Sequence, residues 1–211
     1  MKSERQCING NLAADKLSQI VQKHKITSVM TFGGEPLLYP EEVSIIHKKA
    51  YELGIPKRQL ITNGYFSKDE TKIKAVAELI YESGINDILL SVDDFHQEFI
   101  SLELVKLFAN ELLALKLPLR LSPAWLLSRD DDNEYNIRTR EVLKEFTALG
   151  IPESEGNIVF PEGNALKNFS EFFESGKEYI NPYVESPDDI RSISIDPDGI
   201  VYGGGGILTN I

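Results

Sequence analysis

Short apolar runs recur along the chain at nearly regular intervals. Five of them begin at positions 28, 58, 87, 117 and 157, so that successive starts lie 30, 29, 30 and 40 residues apart. Most of the runs are rich in Ile, Leu and Val, which is typical of strands buried on both faces of a parallel sheet. The pattern therefore predicts five strands, over residues 28–32, 58–62, 87–92, 117–122 and 157–160.

Amphipathic helical patterns fill the intervals between these runs. The stripe before the third strand consists of Ile73, Val76, Ala77 and Ile80, and the stripe before the fourth consists of Leu104, Leu107, Phe108 and Leu115. A repeat of strand, helix and strand predicts right-handed βαβ units and hence an α/β fold. An open doubly wound sheet and a βα barrel both use such units, and the spacing does not distinguish them.

The repeating pattern ends after residue 164. Residues 193–202 indicate a β-hairpin, because two apolar runs flank the turn-forming sequence Pro-Asp-Gly at positions 197–199. A run of four glycines follows at positions 203–206. We therefore divide the chain into a repeating part, residues 1–164, and a C-terminal extension, residues 165–211.

Composition and charge narrow the range of functions. The chain has 211 residues, enough for one substantial core, and its formal net charge is −11. This charge disfavours nucleic acid and anionic membrane surfaces as partners. The first ten residues lack the apolar centre of a signal peptide, so we expect a cytoplasmic protein. One cysteine, Cys7, excludes a disulfide or a cysteine-only metal site within one chain.

Polar residues and glycines follow the predicted strands, at the edge where parallel α/β folds bind ligands. The most distinctive segment is Gly33, Gly34, Glu35 and Pro36, after the first strand. Paired glycines allow a ligand to approach the backbone, and the carboxylate can accept hydrogen bonds from an ammonium group. A tight turn carrying a solvated glutamate is the structural alternative. The candidate residues at the other strand ends are Asn63, Ser91, Asp93, Ser122 and Phe160.

These segments together resemble the radical S-adenosylmethionine (SAM) superfamily. Residues 31–38 are similar to its GGEP motif, residues 62–64 to its TNG segment and residues 91–93 to the ending of its fourth strand. Residues 161–165 resemble its sixth-strand P-x-G-R-A segment, with Asn164 in place of the usual arginine. Residues 195–202 resemble the opening hairpin of a SPASM or twitch extension. The resemblance covers roughly residues 12–206 and implies a partial parallel barrel that lacks its first strand.

The resemblance also implies a cofactor and roles for the candidate residues. Gly33, Gly34 and Glu35, followed by Pro36, would hold the amino group of SAM. A second set of residues would contact the ribose or carboxylate of SAM. The adenine would rest near Phe160 of the last barrel strand. That second set is Asn63, Ser91, Asp93 and Ser122. The family reaction is reductive cleavage of SAM and hydrogen abstraction from a substrate, and the hairpin suggests a peptide or protein substrate.

The chain departs from the family pattern at the iron–sulfur cluster. The family holds a 4Fe-4S cluster with three cysteines of a CxxxCxxC loop, whereas Cys7 has no cysteine partner. We therefore expect that this chain alone does not bind the cluster. It is either a fragment of a longer enzyme or a natural relative without a cluster, and the helix-first start and glycine-rich ending favour the fragment.

Two other functions remain open at this stage. A barrel without the cluster could bind a peptide or partner without catalysis. Alternatively, Asp93, Asp94 and His96 could hold a divalent metal ion for hydrolysis. If a barrel strand is missing, residues 28–32 would present an open apolar sheet edge, and open edges recruit partners. We therefore also expect self-association.

Overall fold

The computed structural model describes residues 7–173, 191–203 and 206–207. Helices and strands alternate through the first of these ranges. The helices are α1 (Gly10–Lys23), α2 (Pro40–Glu52), α3 (Glu70–Glu82), α4 (Asp94–Gln97), α5 (Leu102–Ala114), α6 (Glu134–Thr147) and α7 (Gly163–Asn168). The strands are β1 (Ser28–Thr31), β2 (Lys57–Thr62), β3 (Asp87–Leu90), β4 (Leu119–Leu121), β5 (Ala124–Leu126), β6 (Asn157–Val159), β7 (Ile193–Ile195), β8 (Val201–Gly203) and β9 (Gly206–Ile207). Short 3₁₀ helices cover Pro36–Leu38 and Ser170–Phe172.

The main sheet is parallel, with the order β1-β2-β3-β4. This confirms an α/β fold with a parallel sheet. All five predicted strands are present, each within two residues of its predicted bounds. Because consecutive strands are neighbours and run in the same direction, the loops after β1, β2 and β3 emerge side by side at one edge.

Strand β5 was not predicted from the sequence. It follows β4 after Ser122 and Pro123 and pairs in parallel with β6. Proline has no N–H for a ladder, so the run is interrupted at Pro123, and three residues are too few for a recognisable pattern. The carbonyl of Pro123 instead accepts a hydrogen bond from Asn157 N at 2.8 Å, and a bridge joins Leu121 to Glu153. The segment 119–126 thus pairs with β3 at its start and with β6 at its end.

The main core lies between this sheet and the helices. It includes fully buried side chains from α3, α5 and the strands, such as Ile73, Phe108, Leu60 and Ile88. The predicted stripe of α3 is confirmed, because all four of its residues are buried. The predicted stripe of α5 is confirmed at Phe108, which is fully buried, and its other three residues are partly buried and pack against the same core. The fully buried side chains of α5 are Val105, Phe108, Ala109 and Leu112.

The opposite face of the sheet is more open. Alternation along β1 places Met30 and Phe32 on the face opposite Val29, which packs with α1 and α2, and they are 38% and 64% exposed. Further along the same face, the carboxylate of Asp87 accepts hydrogen bonds from Gln59 and from two nitrogens of Arg120, at 2.7–3.0 Å. This face therefore combines an exposed apolar edge with a polar interior.

Only part of the predicted extension lies within the described residues. β7 and β8 form the predicted antiparallel hairpin, and Asp196 closes its turn by accepting hydrogen bonds from Asp198 N and Ile200 N. Gly199 in the turn has φ +79°, and an added Cβ would lie 2.6 Å from a methyl carbon of Leu12 on α1. The glycines at 204 and 205 lie outside the described residues. No helix among the described residues is long and apolar enough to cross a membrane.

Candidate functional site

The loop after β1 carries an open glycine pair. Gly33 has φ +140°, a conformation that favours glycine, and both Gly33 and Gly34 are exposed. An added Cβ would meet no atom within 4 Å at either position. The glycines therefore do not serve close packing inside the protein. They leave the backbone of this loop accessible to a ligand.

Glu35 joins the loops after β1 and β2. Its carboxylate accepts hydrogen bonds from Leu37 N at 2.9 Å, from the Thr62 hydroxyl at 2.7 Å and from Asn63 N at 2.8 Å. Burial raises the pKa of Glu35, and these hydrogen bonds and the charge of His96 oppose that increase. A carboxylate has about four acceptor positions, so three internal bonds leave about one for a ligand. Glu35 thus serves mainly to hold two loops together through hydrogen bonds.

Asn63 is held by the turn that it begins. Its side-chain oxygen accepts a hydrogen bond from Tyr65 N at 2.8 Å, so this atom is occupied within the loop. Gly64 follows with φ +72°, and an added Cβ there would lie 2.9 Å from Leu90. Residues 62–64 are therefore fixed against the core, and Asn63 presents its backbone N–H to Glu35.

Asp93, a candidate for contact with the ribose or carboxylate of SAM, is fully buried. One carboxylate oxygen accepts hydrogen bonds from the backbone N and ring Nδ1 of His96, at 3.0 and 2.8 Å. The other oxygen accepts a hydrogen bond from Ala124 N at 2.9 Å. Asp93 therefore caps α4 and ties it to the start of β5.

His96 is the neighbour of Asp93 that reaches the surface. Its side chain is 37% exposed and lies close enough to Glu35 for their charges to interact. Burial lowers the pKa of His96, but the hydrogen bond and charge of Asp93 and the charge of Glu35 outweigh burial and raise it. The site thus contains two carboxylates and an imidazole whose protonated form is favoured.

The remaining candidate residues differ in how close they lie to the sheet edge of the site and in how exposed they are. Ser91 N donates to Thr62 O, and Ser122 N donates to Leu90 O, each at 2.8 Å, so both extend the sheet at the same edge. Ser91 is half-buried, whereas Ser122 is 5% exposed and offers little surface to a ligand. Pro36 begins the 3₁₀ helix after Glu35. Phe160 follows β6, in the two-stranded β5–β6 sheet, whereas Glu35 and Asn63 follow β1 and β2 of the main sheet.

The structure does not assemble the alternative metal site. Asp94 forms an ion pair with Arg138 of α6 at 2.8 Å, whereas His96 turns to the buried Asp93. Within the described ranges, no group of three or more His, Cys, Asp or Glu side chains converges as metal ligands. This geometry counts against hydrolysis by a metal ion at Asp93, Asp94 and His96.

Two contributors to the site were missed in the sequence. Thr62 lies at the end of β2, as its pattern predicts, but the pattern does not reveal that its hydroxyl donates to Glu35. His96 was considered only as a metal ligand, although its spacing of three residues from Asp93 is the spacing of a helix N-cap and its partner. That spacing was the available signal for the Asp93–His96 contact.

Known proteins share parts of this sequence and of this fold. No family model matches the chain. A segment of 61 residues is 39% identical to the GTP 3',8-cyclase of Microcystis aeruginosa (strain NIES-843 / IAM M-2473), a radical SAM protein, over 29% of this chain and 17% of the cyclase. The fold is similar to a solved structure of native anSMEcpe with bound AdoMet, with TM-score 0.50 and 17% identity. The chain is related to the radical SAM proteins.

The relationship covers part of each protein. The structural match spans 76% of this chain but 46% of anSMEcpe. This chain thus corresponds to less than half the length of either compared protein.

Proposed function

We propose that this chain forms the SAM-binding part of a radical SAM protein. The observation that carries the proposal is the open glycine pair beside Glu35, at the edge where Glu35, Asn63 and Asp93 converge. The radical SAM relationship supports the proposal, as does the AdoMet bound to anSMEcpe. In such a protein, SAM supplies hydrogen-abstracting chemistry when it is reductively cleaved.

The residues present fit the amino-acid end of SAM. The exposed backbone at Gly33 and Gly34 offers carbonyl acceptors for the ammonium group, and the Glu35 carboxyl group beside them has about one acceptor position left. Ser91 is the candidate hydroxyl for a polar contact, since it is half-buried at the same edge. Asp93 positions its neighbours, whereas Asn63 has its side-chain oxygen engaged within the loop and its amide nitrogen left for a ligand. The adenine would extend toward Phe160.

We further propose that the parallel strands belong to a partial barrel formed by residues 1–164, with residues 165–211 as a SPASM-like or twitch-like extension. The bridge between Leu121 and Glu153 supports the barrel, because it links the β1–β4 sheet to the β5–β6 pair. A peptide or protein substrate and a cytoplasmic location stay predictions.

The residues of this chain do not fit a 4Fe-4S cluster. Three thiolates are needed, and the sequence contains Cys7 alone. We therefore assign no chemical step to a cluster here. A fragment of a longer enzyme and a relative without a cluster both remain compatible with this content. The same cysteine content favours a second function, in which the cleft binds a small molecule or peptide without catalysis.

The proposal predicts that Gly34→Val impairs SAM binding without unfolding the protein. The added side chain would enter the open space beside the loop, where a Cβ meets no protein atom within 4 Å. We expect the Kd for SAM, measured by equilibrium dialysis with labelled SAM, to rise at least about tenfold, which corresponds to about 1.4 kcal/mol. The unfolding temperature should remain that of the wild type.

A matched control is His24→Val, because His24 is exposed at the end of α1, before β1, whereas the glycine loop follows the other end of β1. It should bind SAM like the wild type. Failure of the wild-type chain to bind SAM at millimolar concentration would overturn the proposal. Equal SAM affinity of Gly34→Val and wild type would overturn the assigned position of the ligand.

We also propose that the chain self-associates through the edge of β1. β1 has a neighbour on one side only among the described strands, and Met30 and Phe32 are exposed there. Light scattering at high micromolar concentration should give a mass above the 23.7 kDa of one chain. Phe32→Ser should reduce this mass, whereas Phe99→Ser, at a 78% exposed position elsewhere, should not. A strictly monomeric wild type would contradict this proposal.

A further inference from the structure

The Asp93–His96 pair has a geometry that the proposed site does not yet use. Asp93 is fully buried, and its two carboxylate oxygens accept three hydrogen bonds from His96 and Ala124. Its position is therefore fixed by two backbone segments, α4 and β5. The imidazole of His96 is attached to this fixed carboxylate through one ring nitrogen, while the side chain remains 37% exposed.

This attachment determines what the other ring nitrogen can do. A carboxylate accepts hydrogen bonds, so the 2.8 Å contact places a hydrogen on Nδ1 of His96. The Nε2 atom lies on the opposite side of the ring and has no hydrogen-bond partner among the residues that the structure describes. In the protonated ring both nitrogens carry hydrogen, and Nε2 then becomes a charged donor.

We infer that His96 binds an anionic oxygen group, a carboxylate or a phosphate, of the molecule that occupies the cleft beside Gly33, Gly34 and Glu35. Asp93 is the positioning residue of this contact. A charged N–H donor and an anionic acceptor form one of the stronger hydrogen bonds in proteins. The inference deepens the proposed function, since it concerns the same cleft.

The charges around His96 favour its protonated state. Asp93 on its own element and Glu35 from the loop after β1 both raise its pKa. Asp94 on α4 is neutralised by Arg138 from α6, the helix packed against α4. Anion binding should therefore be strong below the raised pKa of His96 and should weaken as pH rises through it, because the charged donor is then lost.

The test is a titration of the histidine side chains by NMR. The chain has three histidines, so the Cε1 signals are few, and the signal that disappears in His96→Gln identifies His96. Burial and the charge of Arg58 lower the pKa of His47 to about 3, far from the raised pKa of His96. In the ligand-free chain, His96 should titrate at higher pH than an ordinary histidine, because Asp93 and Glu35 raise its pKa. Asp93→Asn should move the His96 midpoint down.

The ligand arms use inorganic phosphate, SAM and decarboxylated SAM. Phosphate and SAM should raise the His96 midpoint. Decarboxylated SAM should bind without raising it if the anion is the carboxylate of SAM. If neither SAM nor decarboxylated SAM raises the His96 midpoint while phosphate does, the anion bound by His96 belongs to a second molecule. A His96 midpoint that neither phosphate nor SAM moves would overturn the inference.

Binding measurements separate this inference from the proposed function. His96→Leu should weaken SAM binding about tenfold at pH 6 and less at pH 9, whereas His96→Gln, which keeps an N–H donor, should lose less. If the wild type binds SAM and His96→Leu binds it equally well at both pH values, this inference fails and the proposed function stands. If phosphate moves His96 but SAM does not bind, the proposed function fails and the anion site stands.

Discussion

Replacement of Phe108 by alanine is expected to lower the free energy of unfolding by about 3–5 kcal/mol. Phe108 is fully buried in α5 and forms an edge-to-face contact with Phe66, with ring centroids 5.1 Å apart and an interplanar angle of 84°. The lost free energy includes the burial of the ring and the cost of the cavity that remains. The cavity persists because α5 is packed against the sheet and α3 and cannot move to fill it. Urea unfolding should show a lower midpoint with an unchanged slope.

Phe108 also supports the loop that carries Asn63. An added Cβ at Gly64 would lie 3.5 Å from the Phe108 ring, so this ring packs against residues 62–64. We therefore expect Phe108→Ala to weaken SAM binding as well, although Phe108 does not reach the cleft. Phe99→Ala is the matched control, because Phe99 is 78% exposed and should change stability by no more than about 0.5 kcal/mol. Equal stability of the two variants would contradict the assigned core.

Replacement of Gly156 by alanine is expected to destabilise the protein by about 2–4 kcal/mol. Gly156 has φ +77°, and an added Cβ would lie 2.3 Å from the carbonyl oxygen of Pro123 and 2.8 Å from Nε1 of Trp125. The first of these is a backbone atom that cannot move away alone, because Asn157 N also donates to it. The added carbon would therefore separate β6 from the segment before β5.

Gly150→Ala separates the two causes of this loss. Gly150 also has a positive φ, +84°, but an added Cβ there meets no atom within 4 Å. It should cost only the backbone strain, about 1–2 kcal/mol. The difference between the two variants in thermal or urea unfolding then measures the collision with Pro123. If both variants lose the same stability, the close approach of β6 to Pro123 is wrong.

The local sequence pattern was sufficient to predict the buried face of a helix where apolar residues lie on one face only. The four residues of the α3 stripe repeat at helical spacing between polar neighbours, so only one face could be buried, and the structure buries that face. The turn at Asp196 was equally clear, because aspartate and glycine favour the required backbone conformation. In α5, by contrast, apolar side chains lie on several faces. Contacts with the sheet and α3 decide that Val105 and Leu112 are fully buried, whereas Leu104 and Leu107 are partly buried at the margin of the core.

The sequence by itself determined the alternation of strands and helices, and with it the edge at which Gly33, Glu35, Asn63 and Asp93 gather. Period and strand direction suffice for this, because parallel neighbours place their endings together. Only the tertiary structure decided which side chains a ligand can reach. Asp93 turns inward because Ala124 N, 31 positions along the chain, donates to its carboxylate, and this leaves His96 at the surface. Such a contact between distant segments follows from how they pack, which no local pattern records.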